Sequence, residues 1–377
     1  MELTTLEHTR GGGWSAPFPG LDSDRTLVLA FASPGYHDDW APVRELLDAY
    51  PASHVMGCST AGEIHGARLS DDTVSVAVAR FGETRLRCAT ADPADGGSHR
   101  AGREIGLALR ADDLRAVLVL SDGLQVNGTE LTRGLGEVLP PGVVVTGGLA
   151  ADGDRFGRTW VILGGRPVPG VVTAVGLYGD ALRVGHGSQG GWDRFGPERL
   201  VTRSAGPVLH ELDGRPALAL YKEYLGERAA GLPATGLLFP LALRPEGGGE
   251  AVLVRTILAV DEDAQTLTFA GDIPQGAMVQ LMRANFERLI DGAGAAALDT
   301  ALADAAAPAL CVGVSCVGRR LVLGERTEEE IEAVLDGLPA GTRQVGFYSY
   351  GEISPLAAGR CDLHNQTMTL TTLAEAA

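Results

Sequence analysis

Gly57-Cys58-Ser59-Thr60-Ala61-Gly62-Glu63-Ile64 (GCSTAGEI) and Gly346-Phe347-Tyr348-Ser349-Tyr350-Gly351-Glu352-Ile353 (GFYSYGEI) are two versions of one phrase, G-x-x-[ST]-x-G-E-I. Each follows a short run that reads as a strand, ending at Met56 and at Val345. The glycines open backbone conformations closed to other residues. A hydroxyl stands between them, and a carboxylate follows beside an apolar anchor. A strand that breaks into such a turn is a common way to build a pocket wall. Its presence in both halves predicts two related lobes around one site.

Outward from the two phrases the pattern is α/β punctuation. Thr26 to Ala32 reads as a buried strand, Val43 to Tyr50 as a helix, and Thr73 to Arg80 with Arg85 to Ala89 as a hairpin. Strand, helix and strand over Leu118 to Ser121 and Val143 to Gly148 parallel the same order over Val312 to Ser315 and Gln344 to Gly351. From Arg158 the chain becomes strand-rich. Val252 to Val260 and Gln265 to Ala270 read as a hairpin, Ala284 to Ala306 as a long helix, and Thr327 with Glu330 as a capping box. The expected fold class is α/β, α+β in the mixing of its sheets: two related lobes with pseudo-duplicated strand–helix–strand units, mixed β-sheets covered by helices. Residues 1–25 read as a flexible N-terminus, 26–213 as the first lobe and 214–373 as the second.

Composition narrows the function. The net charge of −17 opposes a nucleic-acid backbone or an anionic membrane as partner. No signal peptide or membrane span is legible. Five cysteines without a C-x-x-C pair disfavour a zinc knuckle or a disulfide framework and point to a reducing, cytoplasmic setting.

Candidate ligand-binding residues cluster on the glycine turns. Glu63 and Glu352 either hold a ligand ammonium in one shared pocket or accept backbone N–H bonds and pin their own turns. Cys58, Ser59 and Thr60, after Gly57, offer a thiol and two hydroxyls; as a nucleophile Cys58 needs a cationic or histidine neighbour. No complete catalytic constellation is present, so the expectation is a binding protein rather than an enzyme. A hydrolase or transferase using Cys58 or Ser59 is the second alternative. Gly147 and Gly148 form a third glycine turn that could cradle an anion, and Ser121 could face the pocket. Tyr348 and Tyr350, on either side of Ser349, read as an aromatic wall or as core. Arg255, a charge among apolar neighbours, either snorkels or forks onto a ligand carboxylate. Arg319 and Arg320 read as solvated.

GCSTAGEI, VVVTGGLAADG (Val143 to Gly153), PALALYKEYLG (Pro216 to Gly226), GFYSYGEI and LHNQTMTL (Leu363 to Leu370) occur in that order and resemble the FIST N and FIST C domain pair. The resemblance runs from about Thr26 to Leu373, with a FIST N-like first lobe and a FIST C-like second lobe. It implies an intracellular sensor of a small polar ligand, amino-acid-like by the usual suggestion. It also implies a separate signalling partner such as a histidine kinase or a cyclic-dinucleotide enzyme. Some members look like haem-based nitric oxide sensors, which makes haem b the alternative cofactor; His364 is then the first candidate iron ligand and His186 the second. The leading expectation is no cofactor and no metal.

Overall fold

The computed structural model of the chain describes residues 1–95, 97–244, 253–300, 302, 309–356, 359 and 361–376. Thr26–Ala32 and His54–Ser59 lie parallel, joined by the helix Ala41–Ala49. Leu114–Ser121 and Val144–Leu149 repeat this around the helix Gly128–Val138. Leu310–Cys316 and Arg343–Ser349 repeat it again around the helices Val317–Leu323 and Thr327–Gly337. The second lobe thus carries one strand–helix–strand unit and the first lobe carries two. Each parallel pair continues into an antiparallel return strand: Thr73–Arg80, Val172–Tyr178 or Met368–Glu375. An outer strand follows in each: Glu2–Thr9, Arg85–Ala91 or Leu182–Gln189.

After each glycine turn the chain leaves its own sheet. The hairpin Glu63–His65 and Arg68–Ser70 extends the third unit's sheet beside Arg343–Ser349. Val161–Leu163 with Arg166–Val168 extends the first unit's sheet beside His54–Ser59. Gly351–Pro355 with Cys361–His364 extends the second unit's sheet beside Val144–Leu149. The exchange runs in a closed circle, so all three sheets share one six-strand order, to which the first adds the short strand Gly13–Trp14.

Strand alternation explains the layering. Leu27, Leu29 and Phe31 point inward and meet Leu118, Leu120, Val312 and Val314 in one axial core, where Phe31 and Phe347 stack at 4.7 Å. The intervening Val28 and Ala30 face outward onto Val43 and Leu46 of the helix Ala41–Ala49. Strands buried on both faces read as continuous apolar runs, which is why TLVLAFA and LRAVLVLS lack a polar side. Between the outer strand Leu182–Gln189 and the helix Phe286–Asp299 the third unit carries an inserted sheet, from Asp193–Ala205 to Met278–Arg283, with its own core around the helix Ala217–Leu225.

Several local expectations change. The first residues are not a loose tail: Glu2–Thr9 pairs with Thr73–Arg80 along its length and Leu6 is fully buried, because ELTTLEHT alternates as a strand does. Thr73–Arg80 and Arg85–Ala91 enter different sheets rather than forming a hairpin. The capping box fails, since Thr327 donates to the Gly324 carbonyl at 2.5 Å and Glu330 turns inward. The alanine-rich helix runs over Phe286–Asp299, while Val252, Ala301 and residues 303–306 of the expected elements lie outside the described residues. Among the described residues no helix is long and apolar enough to cross a membrane.

Candidate functional site

The three glycine turns meet at the carboxyl ends of the parallel strands. A Cβ on Gly57, Gly147 or Gly346 would fall 2.1, 1.9 or 2.0 Å from the carbonyl oxygen of Ala30, Val119 or Gly313, so only glycine lets each strand pair approach. Beyond them the units are tied head to tail by main-chain bonds. Ala61 N–H donates to the Tyr348 carbonyl at 2.8 Å, Tyr350 N–H to Leu149 at 3.3 Å, and Ala151 N–H to Ser59 at 2.9 Å.

Glu63 and Glu352 sit in matching cages. The Glu63 carboxyl takes the Thr60 hydroxyl, the Thr73 N–H at 3.1 Å and the Thr73 hydroxyl at 2.9 Å. Glu352 takes the Ser349 hydroxyl at 2.8 Å, the Thr367 N–H at 3.2 Å and the Thr367 hydroxyl at 2.9 Å. Both are buried, and burial pushes each carboxyl up to about 8. Of the two readings of these glutamates, turn-pinning is the one their contacts satisfy.

Most other candidates are also spent on the framework. Cys58 is fully buried, and desolvation holds its thiol well above the ordinary range, the opposite of an activated nucleophile. Ser59 accepts the Trp160 N–H at 3.1 Å, and Ser121 is buried against its own turn. Gly148 packs on Val314 and the Gly351 carbonyl, and Gly147 on Val119, leaving no anion cradle. Arg255 is buried with its guanidinium on the carbonyls of Leu363 (3.0 Å) and Asp272 (3.2 Å). It lines a separate cavity of about 290 Å³ with Asp272 and Asp362. Tyr348 donates to Glu330 at 2.5 Å. Arg319, expected to be solvated, is wholly buried and pairs with Glu330 at 2.6 Å, because a helix turns the neighbours Arg319 and Arg320 to different sides. His364 does not fit a haem iron: its ring is buried, its Nε2 lies 3.0 Å from the Ser354 carbonyl, and burial lowers it to about 4.

A second candidate lines a larger space. Tyr350 forms a wall of a cavity of about 410 Å³, within the range of small-ligand sites. The cavity lies where the second and third units meet at the carboxyl ends of their strands, the usual ligand position in such sheets. Leu124, Val126 and Asn127 come from the second unit, Val317, Gly318 and Leu321 from the third, and Thr256, Leu258 and Phe269 from the inserted sheet. Tyr350 stacks on Phe156 at 4.8 Å and donates to Asp152. Leu124, Phe156, Leu258 and Leu321 are large apolar side chains left exposed around it. Two residues of its lining, Asn365 and Thr256, each carry a buried polar atom, Oδ1 and Oγ1, without a hydrogen-bond partner among the described residues. Among the described lining residues none is Asp, Glu, Lys, Arg or His. Sequence reasoning missed Asn365 and Thr256, although each adjoins a residue it singled out, His364 and Arg255.

Residues 26–215 match the FIST N domain and residues 217–355 the FIST C domain. An uncharacterised protein of Methanocaldococcus jannaschii is 25% identical over 270 residues, 64% of this chain and 50% of that protein. The chain therefore spans about half the length of the curated relative it matches. A solved structure described as "Cyanuric acid hydrolase: evolutionary innovation by structural concatenation" aligns over 99% of each chain at 12% identity, with a TM-score of 0.29, too low to carry an argument.

Proposed function

The chain belongs to the FIST family, whose domains are generally regarded as small-ligand sensors in signalling, and from that premise we propose that it binds a small molecule in the cavity at Tyr350. The observation that carries this reading is the pair of unpartnered polar atoms on residues of a lining that holds no charged group among those described. A buried acceptor without a donor costs about 1–3 kcal/mol, and a ligand that supplies the donor recovers it. The inserted sheet supplies one wall and the strand ends of two units the others, so occupancy bears on how those parts sit together. Such a change can be read by a separate protein, a histidine kinase or a cyclic-dinucleotide enzyme in a cytoplasmic circuit. Binding rather than catalysis is favoured by the burial of Cys58 and Ser59, which removes the thiol and hydroxyl that a covalent mechanism would use.

Native mass spectrometry of the freshly purified protein tests the site. Leu321→Trp adds bulk at an exposed wall position without touching the core. The parent is expected to carry a small-molecule mass that this variant lacks. Equal occupancy in both proteins places the ligand elsewhere, and a parent free of any added mass refutes a cavity filled in the cell.

A further inference from the structure

The internal repeat shows what the protein puts in the equivalent place. Thr73 and Thr367 hold the matching glutamates, and the residues just before them, Asp72 and Gln366, share a left-handed backbone with φ of 57° and 61°. Two positions before each threonine stand Asp71 and Asn365, which therefore correspond. Leu69 and Leu363 correspond as well, since each has a Cδ1 atom within 2.9 Å of the Cβ position of the glycine in its own turn, Gly62 or Gly351.

At the corner between the first and third units, Arg320 fills the space in front of Asp71. Its Nη1 donates to Asp71 Oδ1 at 2.9 Å and to the Ala61 carbonyl at 2.5 Å, and its Nη2 donates to Asp71 Oδ2 at 2.6 Å. By the head-to-tail bonds, Ala61 corresponds to Tyr350. The corner between the second and third units thus presents Asn365 and Tyr350 in the roles of Asp71 and Ala61. The segment that would supply the arginine there is Asp122-Gly-Leu-Gln-Val-Asn-Gly128, which contains no Arg or Lys. That corner is the cavity; Asn365 belongs to its lining, and its buried Oδ1 has no donor among the described residues.

Two changes accompany each other: the filling cation is gone, and the anion that would face it is an amide. Resting on the reading of this cavity as a ligand site, we propose that its ligand is an uncharged molecule whose planar head carries hydrogen-bond donors. The head meets Asn365 Oδ1 and the main chain at Tyr350 as the Arg320 guanidinium meets Asp71 and Ala61, and the apolar body lies against Phe269, Leu258 and Leu321. A zwitterionic amino acid is disfavoured, because neither of its charges finds a counter-charge among the described lining residues, and an unpaired buried charge is strongly penalised.

Calorimetry with probes of matched shape and different charge tests this: benzylurea (neutral), benzylguanidinium (cation) and L-phenylalanine (zwitterion). The parent should bind benzylurea at least tenfold more tightly than the other two. Asn365→Leu keeps the branched shape in a larger side chain and removes the acceptor, so it should weaken benzylurea at least tenfold in protein that still melts cooperatively. Asn365→Asp restores the Asp71 chemistry and should invert the preference toward benzylguanidinium. Binding of benzylguanidinium or phenylalanine to the parent as tight as that of benzylurea, and abolished by Leu321→Trp, overturns the neutral assignment but keeps the site. Benzylurea binding unchanged in Asn365→Leu overturns the role of that residue. Binding of no probe in a manner that Leu321→Trp abolishes overturns the site itself.

Discussion

Replacing Glu63 and Glu352 by glutamine tests the charge state of the two cages. Burial raises both carboxyls from 4.5 to about 8, so at pH 7 the folded protein holds them mostly as neutral acids. In the neutral form one oxygen of Glu63 accepts from Thr73, and the protonated one faces the Thr60 hydroxyl. A glutamine amide reproduces that arrangement, with its NH₂ in place of the acid O–H. Each substitution should therefore cost less than about 1 kcal/mol at pH 7, within the net worth of one hydrogen bond. The parent should also show a distinctive pH dependence. Between the unfolded value of 4.5 and about 8 the folded chain keeps a proton that the unfolded chain has lost, so stability falls as pH rises. The slope is up to about 1.4 kcal/mol per pH unit for each glutamate. Buried histidines such as His65 and His364, lowered by desolvation from 6.5, act with the opposite sign and only below that value. Urea unfolding followed by tryptophan fluorescence between pH 6.5 and 8 isolates the glutamates. The double variant should flatten the slope there and match or exceed the parent at pH 8. A parent stability flat across this window, with either variant losing more than about 3 kcal/mol at pH 7, would mean that both sites hold ionised carboxylates bound by charge-assisted bonds.

Two further outcomes follow from the framework. Gly346→Ala places a Cβ 2.0 Å from the Gly313 carbonyl and should force the parallel pair apart, lowering stability by more than about 3 kcal/mol in urea titrations; an alanine variant that melts with the parent would refute the close approach. Residues 1–215 expressed alone lose one of the two partners of Val144–Leu149 and leave the hairpin at Glu63–His65 without its sheet, so the fragment should aggregate or exchange the amides of these strands without protection. A monomeric fragment with slow amide exchange would show that the hairpin exchange is dispensable.

The two octapeptides announced the twin glutamate cages because glycine, hydroxyl and carboxylate recur there in one order. The third copy was visible as a strand and a glycine turn, but its kinship was obscured. Leu149 and Ala150 carry no hydroxyl, and Gly153 stands where the other copies have glutamate. The sheet exchange was not legible either, since Glu63–His65 is three residues long and its partner lies some 280 positions away, with no local signature of the pairing. Arg319 looked solvated because its counter-ion, Glu330, belongs to another helix and was assigned to a cap. The cavity draws on residues as distant as Leu124, Thr256, Leu321 and Asn365, and no window of sequence contains them together.

A ring of three like struts makes symmetry breaking affordable. With Glu63 and Glu352 still bracing two corners, the middle copy could give up its own brace at Gly153 and let Asp152 gather the loop through the N–H groups of Gly157 and Arg158, at 2.8 Å each. That loop carries Phe156 to the face of Tyr350. A single-copy fold has no spare corner to specialise in this way; here two copies keep the frame while the odd one is free to recognise.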